Sequence, residues 1–205
     1  MRNTYTLLGI TFLIIVAGAW YAFSRSAPAD SADVISSGNT SMISEFTLTS
    51  STFADGSSIP SQFTCDADPP GGGVSPPLEW SGVPEGTVSL ALIMDDPDIP
   101  QVFKDQRGIG AFDHWTLFNI SPETTSIPQS GATGTSGATS AGGSTYVGPC
   151  PPKEYEPSEH RYFFKLFALD TMLDLPAGAS KAEVLAAMQG HVLAEVELMG
   201  RYKRR

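Results

Sequence analysis

The sequence predicts a mainly β domain. Three apolar runs of strand length carry that reading: VSLALIM at 88–94, FDHWTLFNI at 112–120 and YFFKLFAL at 162–169. Each is bounded by turn residues, and the first, apolar on both faces, reads as a buried central strand. The chain's 20 glycines and 16 prolines favour a loop-rich sheet protein over a helical one.

The elements follow in order. Residues 24–44 are rich in Ser, Ala, Gly and Asp without an apolar period, which reads as a flexible linker. The domain, 45–205, opens with a strand pattern at Phe46, Leu48 and Phe53. Phe63-Thr64-Cys65-Asp66 reads as the end of another short strand. In SPPLEW (75–80) Pro76 and Pro77 bar a helix and mark a turn entering a strand. Two long loops follow. Residues 99–110 are polar, with Lys104, Asp105 and Arg107, and residues 129–145 are almost entirely small. Loops of this length are binding loops or disordered. Near the C-terminus the period changes. Ser180 and Glu183 form a capping-box signature for a short helix burying Val184, Leu185 and Met188, and Gly190 ends it. Residues 191–202 then alternate as a final strand.

Charge and targeting narrow the function. A net charge of -10 lacks the basic footprint that nucleic acid requires. It also argues against broad adhesion to an anionic membrane surface. Arg2 precedes an apolar run at residues 7–23, so 1–23 reads as an uncleaved membrane anchor or a signal peptide. Either places the domain outside the cytoplasm, in the periplasm or at the cell surface. The two cysteines, Cys65 and Cys150, are then a disulfide candidate, with two separate thiols as the alternative.

The unusual polar chemistry sits at the ends of the strand-like runs. DDPDIP (95–100) places three carboxylates where a strand ends, one expected in a pocket and one making a turn at Pro97. His114 and His160 occupy equivalent places on two strands, which argues for convergence. In GPCPP (148–152) the prolines leave the amides of Gly148 and Cys150 as donors. Tyr162 adds a hydroxyl. Strand alternation points Arg161 away from His160 and Tyr162, into a structural ion pair. His191 reads as a surface or structural histidine. Together these groups form the donor set of a small anion pocket. No nucleophile-elbow, HExxH or Cys/His zinc spacing occurs, so no catalytic residue, metal ligand or cofactor is assigned.

These segments resemble the phosphatidylethanolamine-binding protein family, also called Raf kinase inhibitor-like proteins, in its bacterial and archaeal branch. The matching stretches include FTCD (63–66), SPPLEW (75–80), MDDPDIP (94–100), DHWTLFNI (113–120), YVGPCPP (146–152), HRYFFKLFALD (160–170) and GHVLAEVELMGRY (190–202). The resemblance implies a large antiparallel sheet packed with a smaller one, and few short helices near the C-terminus. It implies a pocket for phosphate or a phospholipid headgroup, built from Asp96, Asp98, Pro100, His114, Cys150, Pro152, His160 and Tyr162. The expected function is an exported or membrane-tethered binding protein regulating a protein partner. An inhibitor of a protease or kinase is the alternative, and a hydrolase using the His/Asp set is the third. A homodimer is left open. Two departures bear on the ligand: the segment 153–159 carries three glutamates where the family has a short turn, and the small-residue stretch at 131–144 is expanded.

Overall fold

Period-two alternation within one continuous apolar run dictates the architecture. In the computed structural model, which describes residues 45–68 and 73–205, the run forms β3 (Ser89–Asp96), buried almost throughout. Its alternate side chains feed two cores. Leu90, Leu92 and Met94 face one, and Ala91 and Ile93 face the other. A strand covered on both faces cannot expose a polar side, so it reads as uninterrupted apolar sequence.

Every pairing around β3 is antiparallel. It lies between β4 (Phe112–Ile120) and β7 (Glu159–Leu169). The short β6 (Thr135–Ser136) extends the sheet beyond β4, and β8 (Val192–Lys203) beyond β7. The order β6-β4-β3-β7-β8 makes a five-stranded sheet. A three-stranded sheet, β1 (Thr47–Thr49), β2 (Leu78–Ser81) and β5 (Ser126–Ile127), packs over one face through Leu48, Leu78, Trp80 and Ile127. On the other face lies α2 (Lys181–Met188), inserting Val184 and Met188. Its Ser180–Glu183 capping box is formed in full. The mainly β fold with a large and a small antiparallel sheet is as expected.

Several local readings are corrected. The polar segment 99–110 is not a loop: it holds α1 (Gln101–Arg107), so not all helix lies near the C-terminus. None of its residues is buried, which is why no apolar stripe marked it. It is held instead by local chemistry. Pro100 sits at the N-cap, Gln101 donates to Asp105 one turn on at 2.7 Å, and Gly108 closes the helix at φ 65°. Phe63 does not end a strand but a 3-10 turn, Ser61–Phe63. Leu185 lies on the exposed side of α2 rather than with Val184. The anchor and linker assigned to residues 1–44 lie outside the described residues. Among the described residues no helix is long and apolar enough to cross a membrane.

The small-residue stretch 129–145 has a packing reason. It runs along β4, donating from Gly137 to the Thr116 carbonyl at 2.9 Å and from Ser140 to the Asp113 carbonyl at 3.0 Å. A Cβ at Gly134 would lie 2.5 Å from the Phe118 carbonyl oxygen, and its φ of +75° disfavours any side chain. Gly134→Ala is expected to cost about 2 kcal/mol or more, read as a lowered urea midpoint at unchanged slope.

Candidate functional site

Three strands bring their polar ends to one edge of the large sheet. Asp96 at the end of β3 pairs with Phe112 at the start of β4, and Asp95 pairs with Phe163 near the start of β7. The register slips here: Met94 opposes Trp115, but Asp95 opposes Asp113. His114 is therefore the extra residue of a β-bulge. A bulge breaks strict alternation and re-aims a side chain. As a result both Trp115 and His114 turn toward the same side of the sheet, Trp115 into the inter-sheet core and His114 against Tyr162. Asp113 faces the opposite side and pairs with Lys181 of α2.

The carboxylates of the DDPDIP corner separate into three roles. Asp95 lies toward Lys165 and Lys181, 3.6 Å from each. Asp96 is buried and does two things at once. One oxygen accepts from the Asp98 amide at 2.8 Å, which makes the turn, and the other accepts from Nδ1 of His160 at 2.7 Å. Asp98 does not line the pocket, contrary to expectation. Its two oxygens accept from the Arg161 guanidinium at 2.8 and 2.7 Å, and the Arg161 amide adds a bond at 3.0 Å. That pairing holds the Asp98 carboxyl below the usual carboxylate range. Arg161 is thus the structural ion-pair partner that alternation predicted.

The imidazoles are fixed through their Nδ1 atoms. His114 donates from Nδ1 to the Val147 carbonyl at 2.7 Å, and the Val147 amide donates to the His114 carbonyl at 2.9 Å. His160 is held by Asp96. Both rings are left with Nε2 for a ligand, and Nε2 of His160 is buried without a partner. Burial pushes the His114 ring below its ordinary pKa, against the opposing effects of the Val147 carbonyl and the charges of Asp96, Asp113 and Asp95. The Tyr162 ring lies 5.2 Å from that of His114 and 6.4 Å from that of His160 by centroids. Its hydroxyl is also buried and unpartnered, and desolvation drives its pKa far up.

A cavity of about 200 Å³ opens over this floor. Asp96, Pro100, His114, Cys150, Pro152 and His160 line it, whereas Asp98 and Tyr162 do not. Tyr162 is packed behind the two rings, in the inter-sheet core. The sequence reading missed two lining residues from α1, Phe103 and Arg107, and missed Phe112. Pro100 and Gly108 bracketing one polar turn were the available signal. The wall on the far side is GPCPP. Cys150 is bonded to Cys65, with Cα atoms 5.3 Å apart, and the Cys65 amide donates to the Pro149 carbonyl at 3.0 Å. Among the described residues neither the Gly148 nor the Cys150 amide finds an acceptor within the protein. Also among the described residues, no three His, Cys, Asp or Glu side chains gather as metal ligands. His191 is remote from the cavity and pairs with Asp170 at 2.8 Å.

Two outcomes follow from this geometry. The disulfide closes a sequence separation of 85 residues, so Cys65→Ser with Cys150→Ser should cost on the order of 4 kcal/mol by chain entropy, read by denaturant unfolding. The folded His114 pKa is depressed, so the unfolded chain takes up its proton first as pH falls. Its contribution to stability is complete above the unfolded value of about 6.5 and is lost as pH falls toward the folded value. Urea midpoints measured across that window should fall for the wild type and fall less for His114→Gln.

Comparison with known proteins agrees with this architecture. The family model for phosphatidylethanolamine-binding protein matches residues 49–203. A UPF0098 protein of Methanothermobacter thermautotrophicus is 46% identical over 159 residues, covering 74% of this chain and 95% of that protein. One from Chlamydia muridarum is 39% identical over 158 residues, covering 77% and 98%. Among solved structures, the phosphatidylethanolamine-binding protein homologue CT736 of Chlamydia trachomatis aligns with a TM-score of 0.69 at 37% identity, covering 78% of this chain and 98% of its own. YbcL of E. coli, described as a member of the mammalian family, aligns at 0.67 and 30% identity, covering 78% and 99%. With a matching stretch that spans most of the chain and nearly all of these relatives, the protein belongs to the phosphatidylethanolamine-binding protein family.

Proposed function

We propose that the protein is an extracytoplasmic binding protein, secreted or tethered through residues 7–23, whose pocket holds phosphate or the phosphate of a lipid headgroup. Occupancy of the pocket would regulate a protein partner. The observation that carries the ligand reading is the buried, unpartnered Nε2 of His160 in a cavity that His160 and His114 both line. A buried polar atom without a partner costs about 1–3 kcal/mol, and an anion with acidic protons or a charged ring opposite it would recover that cost. The free Gly148 and Cys150 amides add neutral donors on the facing wall. The apolar run at 7–23 and the Cys65–Cys150 bond support export, since disulfides persist in oxidising compartments.

Protonation gives the binding a direction with pH. A neutral His114 presents a lone pair at Nε2, because its Nδ1 proton is committed to Val147. Charging the ring turns Nε2 into a donor, so anion affinity is expected to rise as the solution is acidified. Titrating inorganic phosphate and phosphoethanolamine while following the ring proton resonances of both histidines tests the proposal. Saturable shifts at His114 and His160, larger at acidic pH and absent in His160→Ala, are the expected result. Rings that stay unmoved at millimolar ligand would sink it.

A further inference from the structure

The floor of the pocket cannot by itself supply charge to an anion at neutral pH. Asp96 lies against His160, so that pair carries one negative charge with the ring neutral and none with it protonated. Burial favours the neutral form of His114. The other cations nearby are engaged elsewhere. Arg161 is held by Asp98 through three hydrogen bonds, and Lys165 and Lys181 are taken up by Asp95 and Asp113 on the opposite side of the sheet. An anion entering this cavity would meet a floor that is neutral or negative, in a protein of net charge -10.

One lining residue has the required charge. Arg107, the last residue of α1, is the lone Lys or Arg among the residues lining the cavity. Among the described residues no carboxylate pairs with it. Two weak contacts position it: Nη1 donates to the Ser140 carbonyl at 3.2 Å, and the guanidinium lies 6.0 Å over the Phe112 ring. Both leave most of its N–H groups open. Arg107 and His160 both line the cavity, Arg107 as an exposed residue on its solvent side and His160 as a wholly buried one. A guanidinium keeps its charge at any pH a protein tolerates and matches phosphate oxygens in pairs.

We propose that Arg107 is the anion-selecting residue of the pocket, binding the ligand's phosphate from the mouth while His160 and His114 bind it from the floor. The inference rests on the phosphate-pocket reading and adds the source of its charge. It makes selectivity pH-dependent in a specific way. At about pH 8 the arginine is the one positive group available. In acid a protonated His114 shares the task, beside the neutral Tyr162 and near the charges of Asp96 and, from the other side of the sheet, Asp95 and Asp113.

The test is calorimetric titration of inorganic phosphate into the full chain, kept in a non-ionic detergent, at about pH 8 and about pH 5.5. Wild type, Arg107→Gln and Arg107→Lys are compared, with circular dichroism verifying the fold of each. Arg107→Gln should weaken binding about tenfold or more at the higher pH, in line with the loss of a charge-assisted contact. Arg107→Lys should stay within a few-fold of wild type, and the deficit of Arg107→Gln should narrow at the lower pH. Equal affinity of Arg107→Gln and wild type at both pH values would overturn the inference and leave the pocket reading standing. Absence of phosphate binding by the wild type at both would remove the pocket reading itself, and the inference with it.

Discussion

The contact between Asp96 and His160 is the constraint around which the rest is arranged. Asp96 ends a strand whose other side chains are nearly all apolar and buried, and His160 is completely buried. Neither can be left alone there. Removing one partner of a buried pair of this kind costs about 3–5 kcal/mol, because the other is stranded without water. Their 2.7 Å bond therefore sets the register of β3 against β7 at the one end where apolar packing no longer specifies it. The bond also commits Nδ1, which leaves Nε2 as the ring's one uncommitted nitrogen, in a residue that lines the cavity. One interaction thus serves both the sheet and the site.

The bulge at His114 does the complementary work on the other flank. Under regular alternation Trp115 and His114 would face opposite sides of the sheet. Trp115 is needed in the inter-sheet core, where it packs edge-on against Tyr146 at 5.5 Å. An extra residue at that point lets the core keep its tryptophan and the cavity gain an imidazole. Val147 holds the bulged residue with a two-way backbone and ring clasp. A second slip lies further along β4, between Leu117 and Ile120, where Asn119 has a φ of 54°. Its amide exchanges hydrogen bonds of 2.9 and 2.8 Å with Leu173 and so ties down the segment leading to α2. Both irregularities lie on the same strand, and each converts a break in pairing into an anchor.

What the sequence made legible divides along the range of the interactions involved. The runs at 88–94, 112–120 and 162–169 were readable because burial on both faces of a sheet leaves a direct imprint on hydrophobicity. Ser180 and Glu183 were readable because a capping box is a contact over three residues. Arg161 was readable from alternation alone. The helix at Gln101–Arg107 was not, since it buries nothing and its stabilising contacts are polar and local. Asp98 was misassigned for a related reason: its partner Arg161 lies 63 residues away, and only the folded sheet brings them together. The bulge was beyond reach, because the identity of His114 carries no mark of how many residues oppose Met94. The disulfide stood open on cysteine count and was settled by a Cα separation that only the fold supplies.

The charge arrangement of the two sides of the sheet keeps most of the acidic corner's charge away from the cavity. On the α2 side, Asp95 and Asp113 are matched by Lys165 and Lys181, so carboxylates next to the cavity in sequence are neutralised away from it. At the corner, Asp98 is matched by Arg161. Asp96 alone remains beneath the cavity, and it is turned toward His160. Four neighbouring carboxylates therefore leave little net field at the floor. Separating charge by strand alternation achieves this without any excess of basic residues. Polar atoms in the floor then sit in a low local dielectric, where each hydrogen bond counts for more than it would at the surface.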